Sequence, residues 1–198
     1  MRYFVELGYN GFKYHGWQRQ PKVTTVQEVI EGCMSNALGQ KITCIGCGRT
    51  DAKVHASQFF FHFDFRVIID FDLTFRLNKM LPDDISIYNI FPVEGNPHAQ
   101  FSAASRTYNY FIHTFKDPYL SELSALYTSK LDIDKMAKAV SSIPSYNDFS
   151  GTCRCPSRHS STICDVQSAC LYTIPETNMF RFEITANRFL QGMVRLLA

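Results

Sequence analysis

The sequence predicts an α+β protein with two similar halves, residues 1–95 and 96–198. In the first half, β-rich segments and helical patterns follow one another as strand, helix, strand, strand, helix, strand. This order is typical of helices packed on one face of a largely antiparallel sheet. A comparable succession fills the second half. Hydrophobic residues make up 45% of the 198 residues, which is enough for a sizeable core.

The first half opens with a predicted strand over residues 2–9. Thr25 and Glu28 have the spacing of a capping box, and the apolar residues after them predict a helix over 25–38. Asp72 is the predicted cap of a second helix, which Pro82 ends. Three further segments are predicted strands: 41–46, 57–67 and 85–93.

The second half begins with a predicted strand over 105–115, in which Tyr108 and Tyr110 share one face. A helix then starts at Asp132. The remaining segments are a long polar loop and two strands: 145–162, 164–174 and 179–186.

The last predicted element is a helix with Asn187 as its cap. Arg188 and Arg195 are seven residues apart, so the pattern predicts that both lie on one face of this helix.

Composition limits the class of protein. The chain has 20 basic and 18 acidic residues, so a net charge of +2 does not by itself indicate an RNA partner. Seven cysteines, an odd number, and a start without an apolar signal core predict a cytoplasmic protein with free thiols. The cysteine pairs fit no standard zinc spacing, so we expect no metal site.

The stretch CGRTDAKVHA, residues 47–56, lies between two predicted strands and contains Arg49 and Asp51. One interpretation is an ordinary loop with a solvated ion pair. The other is a carboxylate held ready for chemistry beside a basic group.

Five segments together resemble the tRNA pseudouridine synthase A family, and they occur in the family's order over nearly the whole chain. They are GYNGFKYHGWQRQP with TVQ, GRTDAKVHA, FSAASRTYNYFI, DFSG and NRFLQGMVR. One such string would be weak evidence, whereas five in order are specific.

The resemblance implies a role for each matching residue. Asp51 corresponds to the nucleophilic aspartate, and Arg49 to the residue that displaces or holds the target nucleotide. Tyr108 corresponds to the tyrosine that stacks on the uracil, and Arg195 to the basic partner of the aspartate. Leu190 is expected in the apolar wall.

The resemblance also implies the reaction and the architecture. The reaction is isomerisation of uridine to pseudouridine at positions 38, 39 and 40 of the tRNA anticodon stem-loop, by a homodimer without a cofactor. The architecture is a central mixed sheet shared by the two halves, with a cleft between them. A non-catalytic RNA-binding module on the same fold is the alternative function.

Further RNA contacts are expected from basic and aromatic side chains outside the catalytic set. For Trp17 and Arg19, an RNA path and a folded loop anchored by the indole are equally good interpretations. The other candidates lie in predicted loops: Lys53, His55, Arg154 and Arg158. For the two arginines, a mobile surface loop without an RNA contact is the rival interpretation.

The chain departs from the family pattern at two positions. The family usually has glycine where this chain has Lys53, so we expect a backbone less free to take positive φ or to approach RNA closely. The alternative is that the lysine binds a phosphate. It commonly has arginine where this chain has Gln100, so one ionic contact to RNA is expected to be missing. The family also usually continues past the final helix, so we expect a terminal part of the core to be lacking.

Overall fold

The computed structural model describes residues 1–174 and 176–198, which form two compact units, Met1–Ala103 and Ala104–Ala198. Each unit has one four-stranded sheet and its own apolar core. The predicted α+β class is therefore confirmed. Among the described residues the strands pair within these two sheets, and a central sheet shared by the two halves stays a prediction. The cleft between the halves stays a prediction.

The first unit contains two helices and four strands, and all of its strand pairs are antiparallel. The helices are α1, Val26–Leu38, and α2, Leu73–Met80. The strands are β1, Arg2–Tyr9; β2, Ile45–Gly46; β3, Ala56–Asp64; and β4, Ile85–Val93. They lie in the order β2-β3-β1-β4, so the chain's first strand is central.

The predicted helix caps of the first unit are present. The hydroxyl of Thr25 accepts a hydrogen bond from the backbone N–H of Glu28, and Gly39 ends α1 at φ 68°. The carboxylate of Asp72 accepts from the backbone N–H of Phe75 at 2.8 Å and begins α2. Thr25 and Asp72 each supply an acceptor for a backbone donor that the first helical turn cannot satisfy.

The strand predicted over residues 41–46 is wrong for its first four residues. The backbone N–H groups of this segment donate hydrogen bonds to side chains of α1 and not to a neighbouring strand. The N–H of Ile42 donates to the hydroxyl of Ser35, and the N–H of Cys44 donates to the carboxylate of Glu31, both at 2.9 Å. The segment therefore runs as irregular chain until Ile45 pairs with His62.

The second unit contains the mixed sheet β6-β5-β8-β7. Its strands are β5, Arg106–His113; β6, Ala125–Leu126; β7, Val166–Ile174; and β8, Met179–Ala186. The two-residue β6 is parallel to β5 and has no predicted counterpart, whereas the other pairs are antiparallel. Asp132 caps α3, Ile133–Ser142, as predicted.

The terminal helix differs from the prediction. It is α4, Met193–Leu197, and it starts after Gly192 at φ 76°. Asn187 cannot cap it, because its side chain accepts from the N–H of Asp165 and its own N–H donates back to the carbonyl of Asp165. Arg188 consequently lies outside the helix that holds Arg195, so the two do not share a helical face. No described helix is long and apolar enough to span a membrane.

Candidate active site

Asp51 opens a tight turn between β2 and β3. The N–H of Val54 donates to the carbonyl of Asp51 at 3.2 Å, which closes a turn over residues 51–54. The third residue of this turn, Lys53, has φ 64°. A positive φ at this position favours glycine. Lys53 therefore takes the positive φ for which its backbone was expected to be less free.

Backbone bonds from the preceding loop, residues 10–17, hold this turn in place. The N–H of Trp17 donates to the carbonyl of Thr50 at 3.2 Å, and the N–H of Lys53 donates to the carbonyl of Tyr14 at 3.1 Å. The hydroxyl of Tyr9 lies 2.9 Å from that of Thr50. The backbone on both sides of Asp51 is thus hydrogen-bonded to the loop 10–17, and the side chain of Thr50 is hydrogen-bonded to β1.

Two glycines make this approach possible. A Cβ at Gly11 would collide with the carbonyl of Val54, and one at Gly16 would collide with the carbonyl of Thr50. Gly16 also has φ 85°, a conformation that other residues rarely adopt. Sequence reasoning missed both as positioning residues. The available signal was the glycine spacing in GYNGFKYHGW, in a loop whose partner could not be known in advance.

His55 ends the loop with a side-chain contact. Its Nδ1 accepts a hydrogen bond from the backbone N–H of Gly11 at 3.2 Å. The half-buried imidazole therefore holds the two loops together, besides its predicted role toward RNA.

Arg49 and Asp51 are both exposed. Within residues 1–174 and 176–198, no ion pair within 4.0 Å joins the guanidinium of Arg49 to the carboxylate of Asp51. The interpretation of this stretch as a loop with a solvated ion pair is thus not supported. The loop instead combines an anchored backbone with an acid open to solvent, and the shelter predicted for this carboxylate stays a prediction.

Trp17 is a core residue. Its side chain is 2% exposed, and its ring centroid lies 4.3 Å from that of Phe59. Of the two interpretations for this residue, the structure supports the anchor, because a buried indole has no face free for a base. Arg19 forms an ion pair with Glu31 at 2.9 Å, so its guanidinium helps to compensate a buried carboxylate.

In the second unit, Tyr108 and Tyr110 lie on the face of β5 that packs on the core, as their spacing predicts. The ring of Tyr108 meets that of Phe189 edge-on at 4.9 Å. Burial raises the pKa of Tyr110, Tyr127 raises it further, and the charge of Arg195 lowers it. Arg195 is therefore close enough to Tyr110 to act on it electrostatically, a neighbour that sequence reasoning missed.

The remaining candidates of this unit differ in exposure. Leu190 is 4% exposed and belongs to the core. Its predicted place in an apolar wall would therefore be in the layer beneath the surface. Arg154 and Arg158 are exposed. The N–H of Arg154 donates to the carbonyl of Gln191 at 3.0 Å, and its side chain lies so close to Gly192 that a Cβ there would touch its Cγ at 2.9 Å.

Two buried thiols are held in the protonated form. Burial raises the pKa of Cys44 and of Cys164, which keeps both protonated and unreactive. Among the described residues, no group of three or more His, Cys, Asp or Glu side chains is arranged to hold a metal ion.

Curated relatives match the chain over almost its full length. It is 39% identical over 199 residues to a tRNA pseudouridine synthase A of Porphyromonas gingivalis, covering 99% of this chain and 79% of the relative. It is 42% identical over 195 residues to the protein of that name from Azobacteroides pseudotrichonymphae, covering 98% and 78%.

The similarity extends to more distant bacteria. A tRNA pseudouridine synthase A of Ruminiclostridium cellulolyticum is 35% identical over 200 residues, covering 98% of this chain and 80% of the relative. No family model matches the chain. These alignments have 35–42% identity and cover 98–99% of the chain, which confirms the resemblance seen in the five motifs. The chain belongs to the tRNA pseudouridine synthase A family.

Proposed function

We propose that this chain isomerises uridine to pseudouridine in the anticodon stem-loop of tRNA, at positions 38, 39 and 40, with Asp51 as the nucleophile. The observation that carries the proposal is the anchored turn at Asp51: its backbone is fixed on both sides while its carboxylate is open to solvent. Family membership supports an isomerase that acts on tRNA.

The chemistry needs a group that can add and later leave. The reaction breaks the C–N glycosidic bond, turns the base, and joins C5 of the uracil to C1′ of the same ribose. The proton lost from C5 is balanced by a proton that N1 takes up. An ionised carboxylate can add to C6 of the base or to C1′ of the sugar and is expelled when the new bond is complete. The overall change is an isomerisation, so the proposed reaction uses no cofactor.

Bound RNA would remove water from Asp51, and a dry carboxylate tends to take up a proton. We propose that the guanidinium of Arg195 pairs with it in the catalytic state and keeps it charged. Tyr108 stacks on the uracil and holds it while it turns, since an aromatic face resists loss of the base without preventing rotation.

A uridine within a stem must leave the base stack to reach Asp51. Arg49 is exposed two residues from the nucleophile, where it can fill the vacated position or bind the adjacent phosphate. The exposed arginines of the second unit, Arg154 and Arg158, are proposed to contact the RNA backbone. We further propose that the chain acts as a homodimer.

The test is release of tritium from tRNA labelled at C5 of uridine. Asp51→Ala should reduce release by at least about 10⁴-fold, because the covalent route is lost, while tRNA retention on a filter stays within about threefold of wild type. Asp83→Ala removes another exposed acid of the same unit and should leave both unchanged.

Release by Asp51→Ala at the wild-type rate would refute the nucleophile. Retention of tRNA by the wild type without any tritium release would instead favour the alternative, an RNA-binding module that does not catalyse. Mapping pseudouridine in the product would decide the positions modified.

A further inference from the structure

We propose that Phe12 and Lys53 form a cationic platform that binds a tRNA phosphate next to the target uridine, and that the left-handed backbone of Lys53 serves to place its ammonium there. This inference rests on the proposed function. It adds Phe12 as a positioning residue and gives a reason for a conformation that the turn alone would assign to glycine.

The backbone of Lys53 is fixed in an unfavourable conformation. Its φ is 64°, and its N–H is held by the carbonyl of Tyr14 at 3.1 Å. Residues with a Cβ are strained in this region, and such strain persists where the surroundings impose it, often at functional sites. Glycine would satisfy the same turn without strain, so the lysine side chain requires a separate explanation.

The side chain is directed by an aromatic ring. Its ammonium lies 4.9 Å from the ring centroid of Phe12, within the range of a cation–π interaction. Lys53 is exposed, and among the described residues no carboxylate forms an ion pair with it. The charge is therefore oriented by Phe12 and not neutralised by an acid.

The position of this charge suggests its ligand. Lys53 is two residues from Asp51, in the same turn, so a nucleotide presented to the carboxylate brings its flanking phosphates within reach of the turn. Phosphate is the anion that a lysine near a nucleotide binds most commonly, and such contacts orient the substrate without reading its sequence.

The chain supplies a matched control. Lys22 is also exposed and has φ 65°, in a turn between Gln20 and Val23. Substitution of either lysine by glycine removes one positive charge and relieves the strain of one residue with a left-handed backbone conformation. Both variants relieve the same kind of backbone strain, but only Lys53→Gly also loses the contact with Phe12, so it should gain less stability than Lys22→Gly. Only Lys53→Gly should affect tRNA.

The experiment measures KM for tRNA from tritium release, and tRNA affinity by filter binding, between about 50 and 200 mM salt. Lys53→Gly should raise KM about fivefold with kcat unchanged, reduce the slope of log affinity against log salt by about 1, and raise the melting temperature. Lys22→Gly should raise the melting temperature alone. Phe12→Leu, which keeps the charge but not the ring, should raise KM about twofold and leave the slope nearly unchanged.

The inference is overturned if Lys53→Gly keeps the wild-type KM and salt slope, or if Lys22→Gly changes them equally. Absence of tritium release by the wild-type protein would instead refute the proposed function. Filter binding does not depend on catalysis, so it still decides whether Lys53 contacts tRNA in that case.

Discussion

The turn at Asp51 and the terminal segment 187–198 both carry family motifs, yet they are held in different ways. The turn is held by main-chain hydrogen bonds to the loop 10–17 and by glycines that allow the two backbones to meet. The terminal segment is held by buried apolar side chains, Leu190 and Met193, in the core of the second unit. In the turn at Asp51, the two backbones can meet only because Gly11 and Gly16 have no side chain. In the terminal segment, it is the volume of the buried side chains that stabilises the structure.

The largest effect is expected from Gly16→Ala, which places a methyl group against the carbonyl of Thr50 at φ 85°. The free energy of unfolding should fall by about 4 kcal/mol, from left-handed strain and overpacking together. Tritium release should fall by at least about 100-fold, since Asp51 must move with its neighbour. Urea unfolding and the release assay measure the two effects.

Gly39→Ala is the control for strain alone. Gly39 has φ 68°, but a Cβ there would have no atom within 4 Å. The loss of stability should be about 1 kcal/mol, with tritium release unchanged. Equal losses at both glycines would show that close contact at Gly16 contributes nothing.

The second effect tests side-chain packing in the terminal segment. Met193 is fully buried, so Met193→Ala should lower the free energy of unfolding by about 3 kcal/mol through lost burial and a cavity. Met193→Leu keeps most of the volume and should lose less than about 1.5 kcal/mol. Similar losses in the two variants would argue against volume as the stabilising property.

The smallest effect comes from a backbone bond held by a titratable side chain. Nδ1 of buried His62 accepts from the N–H of Ala99 at 3.1 Å. Burial lowers the pKa of His62, and the charges of Arg2 and His98 lower it further, while Asp64 opposes them. The unfolded chain therefore binds this proton more readily than the folded chain, and stability should fall as the pH drops below 6.5.

Urea unfolding at pH 7.5 and 5.5 measures this dependence. His62→Asn retains an acceptor for Ala99 without a titrating ring, so its stability should change less between the two pH values. The same change in wild type and variant would assign the pH dependence to other groups.

Much of the fold could be predicted because local signals and tertiary structure agree. β1 and β4 match their predicted bounds, and Thr25 and Asp72 cap helices as their spacing indicates. The failures occur where a distant partner takes over. Glu31 satisfies the backbone of Cys44 in place of a strand, and Asp165 occupies the groups of Asn187 that would cap a helix.

The residues of the candidate site also fall into those that the sequence predicted and those that depend on contacts with a distant part of the chain. The motifs identified Asp51 and its loop from the sequence, because the order of residues alone carries that information. Gly11 and Gly16 were missed as supports, since they matter only through backbone atoms of another loop. Trp17 was left between two interpretations, because its packing against Phe59 of β3 depends on tertiary structure. Loop-to-loop contacts have no periodicity and leave no pattern to detect.

The central claim is that a carboxylate on an anchored turn acts as the nucleophile. Single-turnover tritium release by Asp51→Asn, with the enzyme in excess and at concentrations that saturate the tRNA, tests it most directly because binding no longer limits the rate. The account predicts no release above background from a variant that has wild-type stability and retains tRNA. Release within tenfold of the wild-type rate would contradict it.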